Sequence, residues 1–141
     1  MYKLTDSPST IIRVADGAHI PVDPANTDYQ AYLEWLAEGN APLPVDPSTP
    51  EQIMAECVER TQKRLDDFAR TRNYDGILSA CTYATSTVPK FATEGQYCVN
   101  ARDRTWAMLY QLLAEVQAGT RPMPSGYADI EPLLPVLEWP E

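Results

Sequence analysis

The chain of 141 residues is 44% apolar and carries a formal net charge of −9. That length holds one medium domain or two small ones, and the apolar content excludes wholesale disorder. The acidity excludes nucleic acid and an anionic membrane as partners, because binding phosphate along a surface needs a basic face.

The first elements are short strands. Tyr2–Leu4 is one, and Ser7-Pro8 marks a turn after it. Residues 11–14 are rich in β-branched side chains, Asp16-Gly17 offers a type I′ hairpin turn, and residues 18–22 return, with Pro21 confining that strand to an edge or an end. A helix then runs from Asn26 to Glu38. Asn26 is its N-cap, Asp28 suits the dipole in the first turn, and Gly39 stands at C′. Tyr29, Tyr32, Leu33 and Leu36 share one face, with Trp35 at its margin. A ββα module of this size buries little surface by itself, so support is expected from the rest of the chain, a second copy or a partner.

Residues 41–49 hold most of a four-proline stretch, Ala41 to Pro50, without helical or strand period, and are expected to form a semi-rigid linker. Thr49, Pro50 and Gln52 then form a capping box with proline at N1. From there Ile53, Met54, Cys57, Val58, Thr61, Leu65, Phe68 and Ala69 keep helical period to about Arg72. Asn73 caps a shorter predicted helix to about Ala84, whose Ser79, Ala80 and Ala84 permit close helix approach. Val88 before Pro89 interrupts it. A long third helix runs from Pro89 to Ala118, with a bend expected near Gly95. Ser125 caps a short turn, and an extended tail follows. The fold class is therefore α+β, mostly α: a ββα module (1–40), the linker (41–49), an antiparallel three-helix domain (50–120) and a C-terminal tail (121–141).

Chemistry-bearing motifs are scarce. His19 is the single histidine, Cys57, Cys81 and Cys98 lack C-x-x-C spacing, and no phosphate-binding, zinc-protease or nucleophile-elbow motif occurs. Asp66 and Asp67 diverge by about 100° on a helix and cannot share a site. Neither a metal nor a cofactor is expected, and the chain reads as non-enzymatic. The cysteines read as small buried hydrophobes kept reduced. No apolar run is long enough to span a membrane, and the N-terminus lacks a signal-peptide core, so synthesis in a cytoplasm is expected.

What stands out is aromatic: eight tyrosines and three tryptophans against two phenylalanines. Tyrosine and tryptophan suit surfaces with one apolar and one wet end, as interfaces have. Trp106, Tyr83 and Tyr110 are expected in the core of the helical domain. Trp35, Tyr32, Tyr29 and Trp139 are the candidate partner-binding residues.

Residues 10–44, TIIRVADGAHIPVDPANTDYQAYLEWLAEGNAPLP, resemble an N-terminal segment common in small proteins encoded beside the tail-fibre genes of tailed bacteriophages and prophages. The strand TIIRVADGAHIP, the D-Y-x-x-Y-L-x-W-L-x-x-G-N helix and the prolines after it carry the likeness. Later stretches, from RNYDGILSACTYATSTVPKF to LPVLEWP, look like C-terminal portions of proteins from the same gene neighbourhood. The resemblance implies a phage or prophage origin, synthesis in the bacterial host cytoplasm, and a tail-fibre or baseplate protein as partner. It implies an assembly chaperone or an accessory subunit retained on the virion tail. The alternative is a stoichiometric structural virion protein that assembles as an oligomer through its helices.

Overall fold

The computed structural model describes all residues 1–141. They form two compact units, Met1–Pro47 and Ser48–Glu141. The fold is α+β and mostly helical. No helix is long and apolar enough to cross a membrane.

In the first unit, strands β1 (Tyr2–Leu4), β2 (Thr10–Arg13) and β3 (Ala18–Pro21) form an antiparallel sheet in the order β1-β2-β3. The hairpin between β2 and β3 differs from the expected two-residue turn. Four residues, 14–17, connect the strands, and only Gly17 has positive φ (70°). A type I′ turn needs positive φ at both central residues, and Asp16 does not adopt it. Instead the Asp16 carboxylate accepts hydrogen bonds from Arg13 Nε and from the Ala18 N–H, while Arg13 Nη1 reaches Asp28 at 2.7 Å. Arg13 thereby ties the loop to the start of helix α1 (Thr27–Ala37).

Asn26 caps α1 as its side chain predicts, accepting from the Tyr29 N–H at 3.0 Å. A cap of this kind contributes about 1 kcal/mol. Gly39 adopts φ 90° after the last turn, and Asn40 Nδ2 donates to the Trp35 carbonyl, which the ending helix leaves without a partner.

The expected linker is not free chain. Leu43 N–H donates to Tyr2 O and Leu43 O accepts from Leu4 N–H, each at 2.9 Å, so residues 41–47 belong to the first unit. Extended proline-flanked backbone has no internal hydrogen bonds, and the unpaired edge of β1 supplies them.

In the second unit, α2 (Pro50–Arg70) opens on the Thr49–Gln52 capping box. It closes at Asn73, which adopts φ 66°. The Asn73 N–H donates to Arg70 O and the Tyr74 N–H to Ala69 O. That pair of bonds is a Schellman closure, so Asn73 ends α2 rather than capping the next helix. The cap of α3 (Ile77–Thr82) comes from elsewhere: Asp66 Oδ1 on α2 accepts from the Ile77 N–H at 2.8 Å. A single 3₁₀ turn, Tyr83–Thr85, follows, and α4 (Pro89–Gln117) starts at extended Val88.

Two apolar clusters make the core of this unit. Leu65, Ala69, Ile77, Ala80 and Cys98 form one. Ile53, Cys57, Leu109, Leu112, Tyr127, Ile130 and Leu134 form the other, and Trp106 packs against both. Burying one such leucine contributes about 2–3 kcal/mol. Residues 121–141 are therefore not a loose tail. Tyr127, Ile130 and Leu134 are buried core, presented by two 3₁₀ turns, and Arg64 Nη2 holds the Pro135 carbonyl at 2.8 Å. Tyr110 and Tyr83, expected in the core, are exposed instead. Tyr110 is turned about 100° around α4 from buried Leu109. Tyr83 stands on the 3₁₀ turn, where its ring meets Tyr74 and Phe91.

Thr61 and Thr105 are fully buried, each one helical turn from core residues on both sides, and neither hydroxyl has a hydrogen-bond partner. Valine keeps the shape and the helix propensity while removing the stranded hydroxyl. Thr61→Val and Thr105→Val are each expected to raise stability by about 1 kcal/mol, read as a higher urea midpoint at unchanged m-value. A lowered midpoint would mean that the hydroxyl holds a carbonyl of its own helix.

Candidate functional site

The aromatic residues singled out from the sequence fall in both units. In the first, Tyr32 is the centre of the small core, 6% exposed, among Tyr2, Ile11 and Ile20. Tyr29, Trp35 and Leu36 pack around it half-buried. The Tyr2 ring meets Tyr32 edge-on at 5.0 Å and Trp35 at 5.1 Å. The buried stripe is thus displaced from the expected one. Trp35 is inside its edge, and Leu33 is 38% exposed. A three-stranded sheet is too narrow to cover both flanks of α1, and Tyr2 on β1 selects the flank of Trp35.

In the second unit Trp139 docks on its own chain. It stacks on Phe68 at 4.3 Å, with the planes 17° apart. Its Nε1 donates to Thr71 Oγ1 at 2.8 Å, and the Glu138 N–H donates to Tyr97 Oη. The Arg72 guanidinium lies 5.1 Å from the Trp139 ring centroid, a cation–π contact. Of the four candidate partner-binding residues, Tyr29 and Trp35 keep partial exposure on opposite sides of Tyr32, Tyr32 is withdrawn into the core, and Trp139 is engaged within the second unit.

Arg72 leads to a feature not foreseen from the sequence. Glu94, on the inner face of α4, is 3% exposed. Its carboxylate accepts from Arg72 Nη1 on one oxygen and from Tyr74 Oη, at 2.7 Å, on the other. Burial pushes the Glu94 carboxyl up, but the hydrogen bonds from Tyr74 and Arg72 and the charges of Arg72 and Lys90 outweigh it and hold it below the ordinary range. Tyr74 moves the other way: burial, then its bond to the Glu94 anion, push the phenol up to about 12. The carboxylate is ionised and structural at neutral pH, its two oxygens already engaged.

The Arg72–Glu94–Tyr74 triad forms the floor of a cleft of about 450 Å³. Tyr83 and Phe91, edge-on at 5.8 Å, are its exposed aromatic wall, and Lys90 stands at the rim. An aromatic wall beside a cation suits the recognition of a group with apolar and anionic parts. One sequence signal did exist. Glu94 stands four residues before Cys98 on the apolar stripe of α4, where an acid must have a buried partner.

All three cysteines are free, and burial pushes each thiol up, Cys98 to about 12. Nowhere do three His, Cys, Asp or Glu side chains converge as metal ligands would. Comparison with protein-family models, with curated proteins and with solved structures finds no match to this chain.

Proposed function

We propose that the chain is a non-enzymatic binding protein of a bacteriophage tail-fibre apparatus, an assembly chaperone or accessory subunit that docks on the fibre or baseplate protein. The support from sequence is the resemblance of residues 10–44. The observation that carries the docking mode is the asymmetry of the small sheet. Leu43 covers β1, whereas no strand pairs with the outer edge of β3. An open edge adds a strand from a partner, with main-chain hydrogen bonds for affinity and side chains for specificity. Pro21 removes one donor from β3, so Ala18–Ile20 is the usable length. Neighbouring α1 then supplies the remaining contact through exposed Leu33 and half-buried Tyr29, on the flank of the helix away from Trp35 and β1. Such a surface shields strand edges of a fibre chain that would aggregate before trimerisation.

Co-expression with the fibre protein encoded beside it tests this. The two are expected to co-elute on size exclusion. Leu33→Asp and Leu33→Arg are expected to abolish or strongly reduce co-elution at unchanged far-UV circular dichroism, whereas Trp35, packed on Tyr2 and Tyr32, is left in place. Variants that co-elute like the parent sink the docking surface, and no co-elution of the parent sinks the proposal. A stoichiometric band in purified virions would instead favour the structural subunit.

A further inference from the structure

The second unit holds another cavity, of about 430 Å³, lined by Arg60, Lys63, Arg64, Asp67, Tyr127 and Glu131. In a chain of net charge −9, this wall gathers three cations against two carboxylates. Lys63 and Asp67 pair with each other, and Asp67 also meets Arg70. Arg60 and Arg64 form no ion pair. Glu131 is the remaining carboxylate of the wall, and Glu56, one turn before Arg60 on α2, stands outside it beside Gly126.

Both guanidinium groups are nonetheless positioned. Arg64 Nη2 donates to the Pro135 carbonyl, a neutral partner that fixes the plane and leaves the charge uncompensated. The Arg60 Cζ lies 5.2 Å from the Tyr127 ring centroid. Two donors remain stranded: Arg64 Nη1 and Tyr127 Oη are buried without a hydrogen-bond partner, and Tyr127 as a whole is only 3% exposed. Buried polar atoms are satisfied in the great majority of cases. Two stranded donors on residues of one cavity, beneath uncompensated positive charge, call for an anionic acceptor.

We propose that this cavity binds a small oxyanion group, a carboxylate or a phosphate, through Arg64 Nη1 and Tyr127 Oη. Arginine presents the planar donors that match such oxygens, and the buried phenol stays protonated and donates. Arg60 is the outer clamp. Where it lies on the Tyr127 ring it helps close the two donors off from water, and its exposed side chain swings outward to admit the anion. The excess of one positive charge on the wall matches one anionic group. The site is independent of the docking surface on the first unit.

Side-chain NMR of the full chain tests this, following the arginine Nε–H signals and the tyrosine ring signals. Acetate and inorganic phosphate are titrated separately, with sodium chloride holding ionic strength constant. Saturable shifts at Arg64 and Tyr127 are expected for at least one of them, and which anion saturates assigns the oxyanion. Tyr127→Phe keeps the ring and its burial, and is expected to weaken binding about tenfold, as loss of a hydrogen bond to a charged group does. Arg64→Met is expected to abolish binding, and Glu131→Gln to tighten it. Shifts that never saturate with either anion, or undiminished binding by Tyr127→Phe, would overturn the site. Tyr127→Phe alone decides if Arg64→Met does not fold.

Discussion

Gly95→Ala is expected to cost the second unit about 3 kcal/mol or more, or to prevent its folding. In an unobstructed helix interior the same change stabilises by about 1 kcal/mol, because glycine gives up more backbone entropy than alanine. Here the sign reverses. A Cβ on Gly95 would lie 2.3 Å from Ala84 N and 2.4 Å from Tyr83 C, both backbone atoms that no rotamer change can move. Helix α4 presses directly onto the turn at Tyr83–Thr85, and the turn must shift to admit a methyl group. Overpacking of this kind costs about 1–3 kcal/mol against side chains and more against backbone. Tyr83 and Phe91, the wall of the cleft, would separate as the turn moved. Urea denaturation followed by circular dichroism measures the loss. Equal or greater stability in the variant would refute the close approach.

Why some of this fold is legible in the sequence and some is not follows from the range of the interactions. The Asn26 cap, the Thr49–Gln52 capping box and the break at Val88-Pro89 are decided within a few residues. Each therefore has a local signature. The α2 closure at Asn73 is local too, but asparagine serves both as an N-cap and as a left-handed C′ residue, and the next helix is capped from Asp66 on α2. Gly95 reads from sequence as a bend and acts as a contact surface, a distinction that depends on what crosses it. Tyr127, Ile130 and Leu134 are spaced three and four apart, which is a helical signal. The intervening Pro132 hid it, since 3₁₀ turns present the same residues without a continuous helix. The Arg72–Glu94–Tyr74 triad joins residues 20 and 22 positions apart. Only the misplaced acid on an apolar face announces it.

That triad makes the stability of the second unit depend on pH. Arg72→Met removes the cation from a buried carboxylate and leaves Tyr74 as its partner. Breaking a fully buried pair costs about 3–5 kcal/mol. Arg72 retains 35% side-chain exposure, so water screens the pair and about 2 kcal/mol is expected at neutral pH. The Glu94 pKa is lowered in the folded chain, so its contribution is present above the unfolded value of about 4.3 and is lost as pH falls through the folded value. The stability gap between the parent and Arg72→Met should therefore narrow as pH drops from about 6 to 3. Tyr74 has the opposite sense. Its folded pKa is raised to about 12, so its contribution is complete below the unfolded value near 10 and is lost as pH climbs from there towards 12. Tyr74→Phe should flatten that part of the alkaline decline while lowering neutral stability, because Glu94 loses a donor. Other shifted groups, Asp16, Asp67 and Glu115 on the acid side and Tyr32, Tyr127, Cys57 and Cys81 on the alkaline side, titrate alike in parent and variants and cancel in the difference. The Cys98 thiol, also pushed up to about 12, interacts with Tyr74 and Glu94, so the alkaline limb is compared in a Cys98→Ala background. Urea midpoints across pH measure both limbs. A gap for Arg72→Met that stays constant from pH 6 to 3 would show that Glu94 is not held ionised by Arg72.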